Sequence, residues 1–174
     1  MNTSVFLSYP RPYNDQQTAF IDEVKKHLLD HGFEPRTLGV SDYGFEEPLT
    51  QVRRLLLESN GLVAVAFRRY SVEKGEIKTS GEDISGKYFS SAWCQLEPAM
   101  AFQLGLPILI YREKDVIDDG IFEKGVAGIY LPEFDLSKPI AEYFDSEEWK
   151  QIVGDWEGCV RAVRKAKGMP PRLY

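Results

Sequence analysis

The chain has almost no cysteine. Cys94 and Cys159 are the only two in 174 residues, enough for one bridge at most. That excludes a disulfide framework, and both are read as free thiols in a reducing cytosol. No apolar run approaches the length that crosses a bilayer, so no membrane partner is expected. The opening MNTSVFLSYP carries no basic segment ahead of its short apolar run, and no secretory signal is read there. Positive charge is also scarce: 21 Lys and Arg stand against 27 Asp and Glu, a formal net charge of −6. A nucleic-acid partner, which needs a basic face, is not expected. The one locally basic stretch, RAVRKAKGMPPR near the end, reads as a solvated helix face.

Familiar catalytic signatures are missing as well. There is no Gly-x-Ser-x-Gly elbow, no phosphate-binding loop of the Gly-x-x-x-x-Gly-Lys type, no His-Glu-x-x-His and no Gly-x-Gly-x-x-Gly. His27 and His31 are four apart and could share a metal, but the sequence shows no Cys, Asp or third His partnered with them. They are read as solvated or edge-of-core histidines, and neither a metal centre nor a cofactor is expected. Cys94 lies near a helix start, where a thiol pKa can fall. With no partner histidine in view it is read as a packed structural cysteine.

What is present is the composition of a globular protein, 43% hydrophobic and 28% charged. The length suits one domain over residues 1–174, with a core to about 135 and a helical tail from 138. SVFLSY (4–9) reads as a strand. A helix follows from about Asp15 to His31, with Phe20, Ile21, Val24 and Leu28 on one stripe and Gly32 as its C-terminal cap. FEPRTL (33–38) is a weaker strand at a sheet edge. GVSDYGFEE (39–47) is a loop, and Pro48 opens a helix with Leu49, Val52 and Leu56 on one face. GLVAVAF (61–67) is apolar without alternation, as a strand buried on both faces should be. Residues 71–90 read as a long loop. A helix from about Ala92 to Leu104 follows, then a strand at LPILIY (106–111) and a fifth at GVAGIYLP (125–132). In the tail, Trp149, Ile152, Trp156, Val160 and Val163 are spaced for packing.

Strands alternating with helices imply a parallel sheet covered on both faces. Five of them in this order predict an α/β flavodoxin-like fold with strand order 2-1-3-4-5. Ligands then bind between the first and third strands, beyond their carboxyl ends, where the order reverses. SYPRPY and RRY build the rim of that crevice, and Glu97 can reach it.

SVFLSYP, SNGLVAVAFRRY and SSAWCQLEPA together resemble the TIR domain family. The first is similar to the family's opening box, and the last to the Ser-x-Trp-Cys-x-x-Glu motif of TIR domains that cleave NAD. The likeness runs to about residue 135 and is nearest the stand-alone bacterial type of the Thoeris anti-phage systems. It implies a cytoplasmic enzyme that takes NAD as substrate and makes an ADP-ribose-derived signal. It also implies a homo-oligomer, a phage-derived trigger and a separate effector protein that reads the signal. The 39–47 loop lacks the Arg-Asp-x-x-Pro-Gly sequence of animal adaptor TIRs. Pro98 stands where many relatives carry Leu, which puts Glu97 near a helix start. The 71–90 loop is longer than usual. It is either a lid that keeps water from the reaction or a surface insertion without a role.

The chemistry suits a single carboxylate. A sugar alkoxide leaves only if protonated, so glycosidases carry two acids. The nicotinamide of NAD leaves neutral, and one fixed carboxylate can face the remaining ribosyl cation. Glu97 is the catalytic candidate on this reading; otherwise it is a helix carboxylate favoured by the dipole. Ser8 and Tyr9 contact the nicotinamide ribose or simply end a strand. Arg11, Arg68 and Arg69 are candidates for the pyrophosphate, at least one of them being a plain surface arginine. Trp93 stacks on a base or packs in the core. Asp42, Tyr43 and Phe45 gate the site or form a subunit contact. Two other functions fit the same residues: a non-catalytic TIR scaffold, and a nucleoside 2-deoxyribosyltransferase-like enzyme. The acceptor is open among water, the adenine of NAD and an external nucleophile.

Overall fold

The structure, a computed structural model, describes residues 2–166. The end of the basic stretch and of the expected tail, 167–174, lies outside the described residues. Five parallel strands form the sheet: β1 (Thr3–Ser8), β2 (Phe33–Arg36), β3 (Leu62–Ala66), β4 (Ile108–Glu113) and β5 (Glu133–Phe134). Their order is β2-β1-β3-β4-β5, the flavodoxin-like arrangement. The helices are α1 (Asp15–Asp30), α2 (Pro48–Glu58), α3 (Trp93–Gln103), α4 (Ile140–Phe144) and α5 (Glu147–Ala166). None of the described helices is long and apolar enough to cross a membrane.

Alternate side chains of one strand point to opposite faces, and β3 shows the consequence. Val63 and Val65 join a core with α1 and α5, while Leu62, Ala64 and Ala66 join another with α2 and α3. Both faces are buried, so an unbroken apolar run is what the sequence had to carry. Local signals fix α1. The Asn14 side chain accepts a hydrogen bond from the Gln17 N–H at 2.8 Å, and Gly32 takes the left-handed φ of +80° that ends the helix.

Four expectations need correction. The fifth strand is not 125–132 but the two residues Glu133–Phe134, because Gly125 and Gly128 adopt φ values of +89° and +63° that no extended strand accommodates. On α2, Leu49 is exposed and Leu55 takes its place in the stripe with Val52 and Leu56. Pro98 is the sixth residue of α3 rather than part of its first turn, so Glu97 stands a full turn into the helix.

The 71–90 segment is the fourth. It is a hairpin in two tiers, pairing Tyr70–Ser71 with Tyr88–Phe89 and Glu76–Ile77 with Glu82–Asp83. The Tyr88 N–H donates to the Asp115 carbonyl and the Ile117 N–H to that of Tyr88, which pins the returning arm to the turn after β4. Ile77, Glu82 and Ile84, near the tip, line a cleft of about 700 Å³ beside β4 and β5. They do not line the crevice at β1 and β3, so the hairpin is not placed as a lid over Glu97.

Candidate active site

Between the carboxyl ends of β1 and β3 lies a cleft of about 320 Å³. The chain reaches it five times, once through Pro48 at the start of α2. β1 supplies Ser8 and runs on into Tyr9 and Arg11; the segment after β2 supplies Thr37 and Leu38; Arg69 follows β3; and α3 brings Trp93 and Glu97. The Thr37 hydroxyl donates to the Leu7 carbonyl at 2.8 Å, closing that wall of the cleft.

Glu97 is the one carboxylate among the described lining residues, and it is 7% exposed. Burial pushes its carboxyl up to about 7, and a hydrogen bond from the Ser8 hydroxyl draws it only part of the way back. The same hydroxyl is 3.9 Å from the Cys94 sulfur. Cys94 is fully buried, and burial together with the nearby Glu97 charge pushes its thiol up to about 12. It is a packed thiol, not a nucleophile.

Two arginines reach this cleft and one does not. Arg11 is exposed at its edge. Arg69 donates from Nη1 to the Ser91 hydroxyl at 3.2 Å and lies over the Tyr70 ring. Arg68 turns the other way. Its Nε donates to the Lys114 carbonyl at 2.7 Å, its Nη2 pairs with Asp115 at 3.1 Å, and its guanidinium covers the Tyr88 ring. Its N–H also donates to the buried Glu113 carboxylate at 2.8 Å, which Gln17 holds at 2.9 Å. Arg68 therefore ties the hairpin to β4, and its place as a pyrophosphate ligand is corrected.

Trp93 is 38% exposed and lines both this cleft and a neighbouring one of about 410 Å³ that opens toward Phe89 and Gln95. It is not a core side chain. Tyr9 is half-buried, packed against the α1 core, with the Lys25 ammonium over its ring. Ser91, the serine of the Ser-x-Trp-Cys-x-x-Glu stretch, has a structural part that sequence spacing does not reveal. It is buried, and its hydroxyl accepts from both Arg69 and the Trp93 N–H, so it fixes the arginine and the start of α3 together.

The 39–47 loop does not enter the cleft. Asp42 is held by Arg36 at 2.5 Å and by the Ser41 hydroxyl at 2.9 Å, contacts that anchor the loop. Tyr43 and Phe45 project into solvent, with Val40 and Leu49 exposed nearby.

Fold and crevice define a flavodoxin-like α/β protein with a single buried carboxylate at the reversal of strand order. No family model and no curated protein matches the chain. Solved structures do. A CMP N-glycosidase, BcmB, from Clostridium botulinum is 14% identical over 78% of this chain and 90% of its own, with a TM-score of 0.48. The TIR domains of the activated Roq1 resistosome, which recognises the pathogen effector XopQ, are 16% identical over 99% of this chain and 89% of theirs, with a TM-score of 0.43. The Flv1 flavodiiron core from Synechocystis is 12% identical over 95% of this chain and 37% of its own, with a TM-score of 0.51. At that identity the last likeness is one of fold alone.

Proposed function

We propose that the chain is a TIR-domain enzyme, acting in the cytoplasm, that cleaves the nicotinamide–ribose bond of NAD and passes the ADP-ribosyl unit into a signalling nucleotide in anti-phage defence of the Thoeris type. The observation that carries this reading is the lone buried carboxylate of the cleft, with Arg11 and Arg69 on its rim. When the C1′–N1 bond breaks, its electron pair goes to the pyridinium ring, and nicotinamide departs neutral without a proton donor. The positive charge left on the ribose faces Glu97. The two arginines suit a pyrophosphate, which a bare nucleoside does not offer, and Trp93 offers a stacking face for a base. NAD is substrate here rather than cofactor.

A carboxyl near 7 must ionise to do this work, and a bound pyridinium cation favours ionisation. Nicotinamide release, as kcat/KM, is expected to rise about tenfold per unit below pH 7 and to level off above it. A rate independent of pH between 5 and 8 would remove Glu97 ionisation from the mechanism.

Self-association belongs to the same reading, supported by the apolar side chains of Tyr43 and Phe45 that the anchored 39–47 loop holds in solvent. Turnover per molecule is expected to climb as protein concentration rises from nanomolar to micromolar, or on addition of phage-infected lysate. A separate effector then reads the product. High and flat specific activity from nanomolar upward, with no lysate, contradicts the need for assembly or a trigger.

A further inference from the structure

His27 and His31, which lack a third ligand in the sequence, acquire one in the fold. They stand one turn apart on α1, and α5 brings Glu157 to them from 126 residues beyond His31. The Glu157 Oε1 atom is 2.9 Å from Nε2 of His27 and 2.6 Å from Nδ1 of His31. The three potential donor atoms lie within 4.8 Å of one another. Glu157 is buried, and its other oxygen accepts from Arg161 Nη1 at 3.1 Å. That arginine also donates to the His31 carbonyl at 3.3 Å. The carboxylate is thus gripped from its far side, and Oε1 is left to the two imidazoles.

We propose that His27, His31 and Glu157 form a binding site for a divalent transition metal, zinc in the first place, that clamps α5 to α1. Two imidazole nitrogens and one carboxylate oxygen are a donor set zinc accepts, with water as the fourth ligand. The same set is poor for calcium or magnesium, which take oxygen ligands. Bonds of about 2.1 Å in a tetrahedron hold donor atoms about 3.4 Å apart. The two hydrogen-bonded contacts must therefore open by less than an ångström, and half-exposed His31 has the freedom to do so while leaving an entry path. The edge of Trp149, 5.2 Å away between ring centroids, limits how far His27 can turn. The Arg161 cation weakens affinity, so micromolar rather than nanomolar binding is expected. His31 is followed by Gly32 and the start of β2, at the end of the sheet opposite the Glu97 cleft, so the metal acts as a structural tie.

The test uses the full chain with Cys159→Ser, because that exposed thiol, also on α5, can bind zinc by itself. The protein is stripped with a chelator, desalted and titrated with zinc against a chromogenic indicator, and with cobalt by visible absorption. One equivalent is expected to bind, with the intense visible bands of four-coordinate cobalt. His31→Ala and Glu157→Gln should each weaken binding by about a hundredfold or more, beyond what losing a mere supporting residue costs. Zinc should raise the melting temperature of the parent and not that of His31→Ala. Absence of stoichiometric binding, or binding unchanged in His31→Ala, overturns the proposal. His31 is half-exposed and outside the apolar core, so its alanine variant is expected to fold, and the result does not depend on whether NAD is cleaved.

Discussion

Glu97→Gln is expected to reduce nicotinamide release by a hundredfold or more while the protein stays folded. Glutamine keeps the size of the side chain and its capacity to accept a hydrogen bond from Ser8. It removes the charge that faces the ribosyl cation, and loss of one such electrostatic element costs on the order of a hundred- to a thousandfold. The same substitution should stabilise the fold at alkaline pH. The folded carboxyl sits at about 7 against an ordinary value of 4.5, because it is buried. Below pH 4.5 both folded and unfolded chains hold the proton, and the group contributes nothing. Between 4.5 and 7 the unfolded chain releases its proton while the folded one retains it, so stability falls as pH rises. Above 7 the cost is constant, roughly 2–4 kcal/mol at about 1.4 kcal/mol per unit. Urea titrations at pH 4 and pH 8 should show the variant gaining on the wild type only at the higher pH. Wild-type turnover in Glu97→Gln would remove Glu97 from the chemistry, and loss of structure would leave the rate uninterpretable, so circular dichroism accompanies the assay.

Phe20→Ala should lower stability by about 3–5 kcal/mol, the range for deleting a fully buried phenyl ring. Phe20 is completely buried on α1 and stacks on Phe134 with centroids 4.0 Å apart. It also meets the edge of Phe67 at 6.0 Å and the Phe144 ring at 4.9 Å. One side chain thus joins α1 to the end of β3, to β5 and to α4. β5 has only two residues of ladder, so this aromatic contact has much to do with holding it in place. A domain of this size has about 5–15 kcal/mol in all. The urea midpoint should fall with an unchanged slope. A loss under about 1 kcal/mol would mean that the neighbouring rings close over the gap.

The sheet was legible in the sequence because strands buried on both faces must be apolar throughout, and LVAVA and ILIY are. The crevice followed from strand order, and Ser8, Tyr9, Arg11, Arg69, Trp93 and Glu97 do converge on it. Arg68 and Arg69 could not be told apart. Adjacent residues leaving a strand point to opposite sides, and only the positions of Glu113 and Asp115 decide which arginine turns away. The hairpin at 70–89 was hidden because its pairs are two residues long and carry no alternating pattern. The His27–His31–Glu157 cluster was hidden because it depends on how α5 docks, and no spacing along the chain encodes that. The fifth strand was misplaced because its apolar run contains two glycines in left-handed conformations, and only the following residues extend.

The most direct measurement is a pair of parallel incubations of the purified wild-type protein at micromolar concentration, one with NAD and one with deoxynucleosides and cytidine monophosphate. Each is run with and without phage-infected lysate and read by liquid chromatography and mass spectrometry. The expected result is nicotinamide together with an ADP-ribose-derived product from NAD, and no free base from the nucleosides or the nucleotide. Free base from those, with NAD left intact under every condition, would contradict NAD cleavage and assign the lone carboxylate to a nucleoside-cleaving enzyme instead.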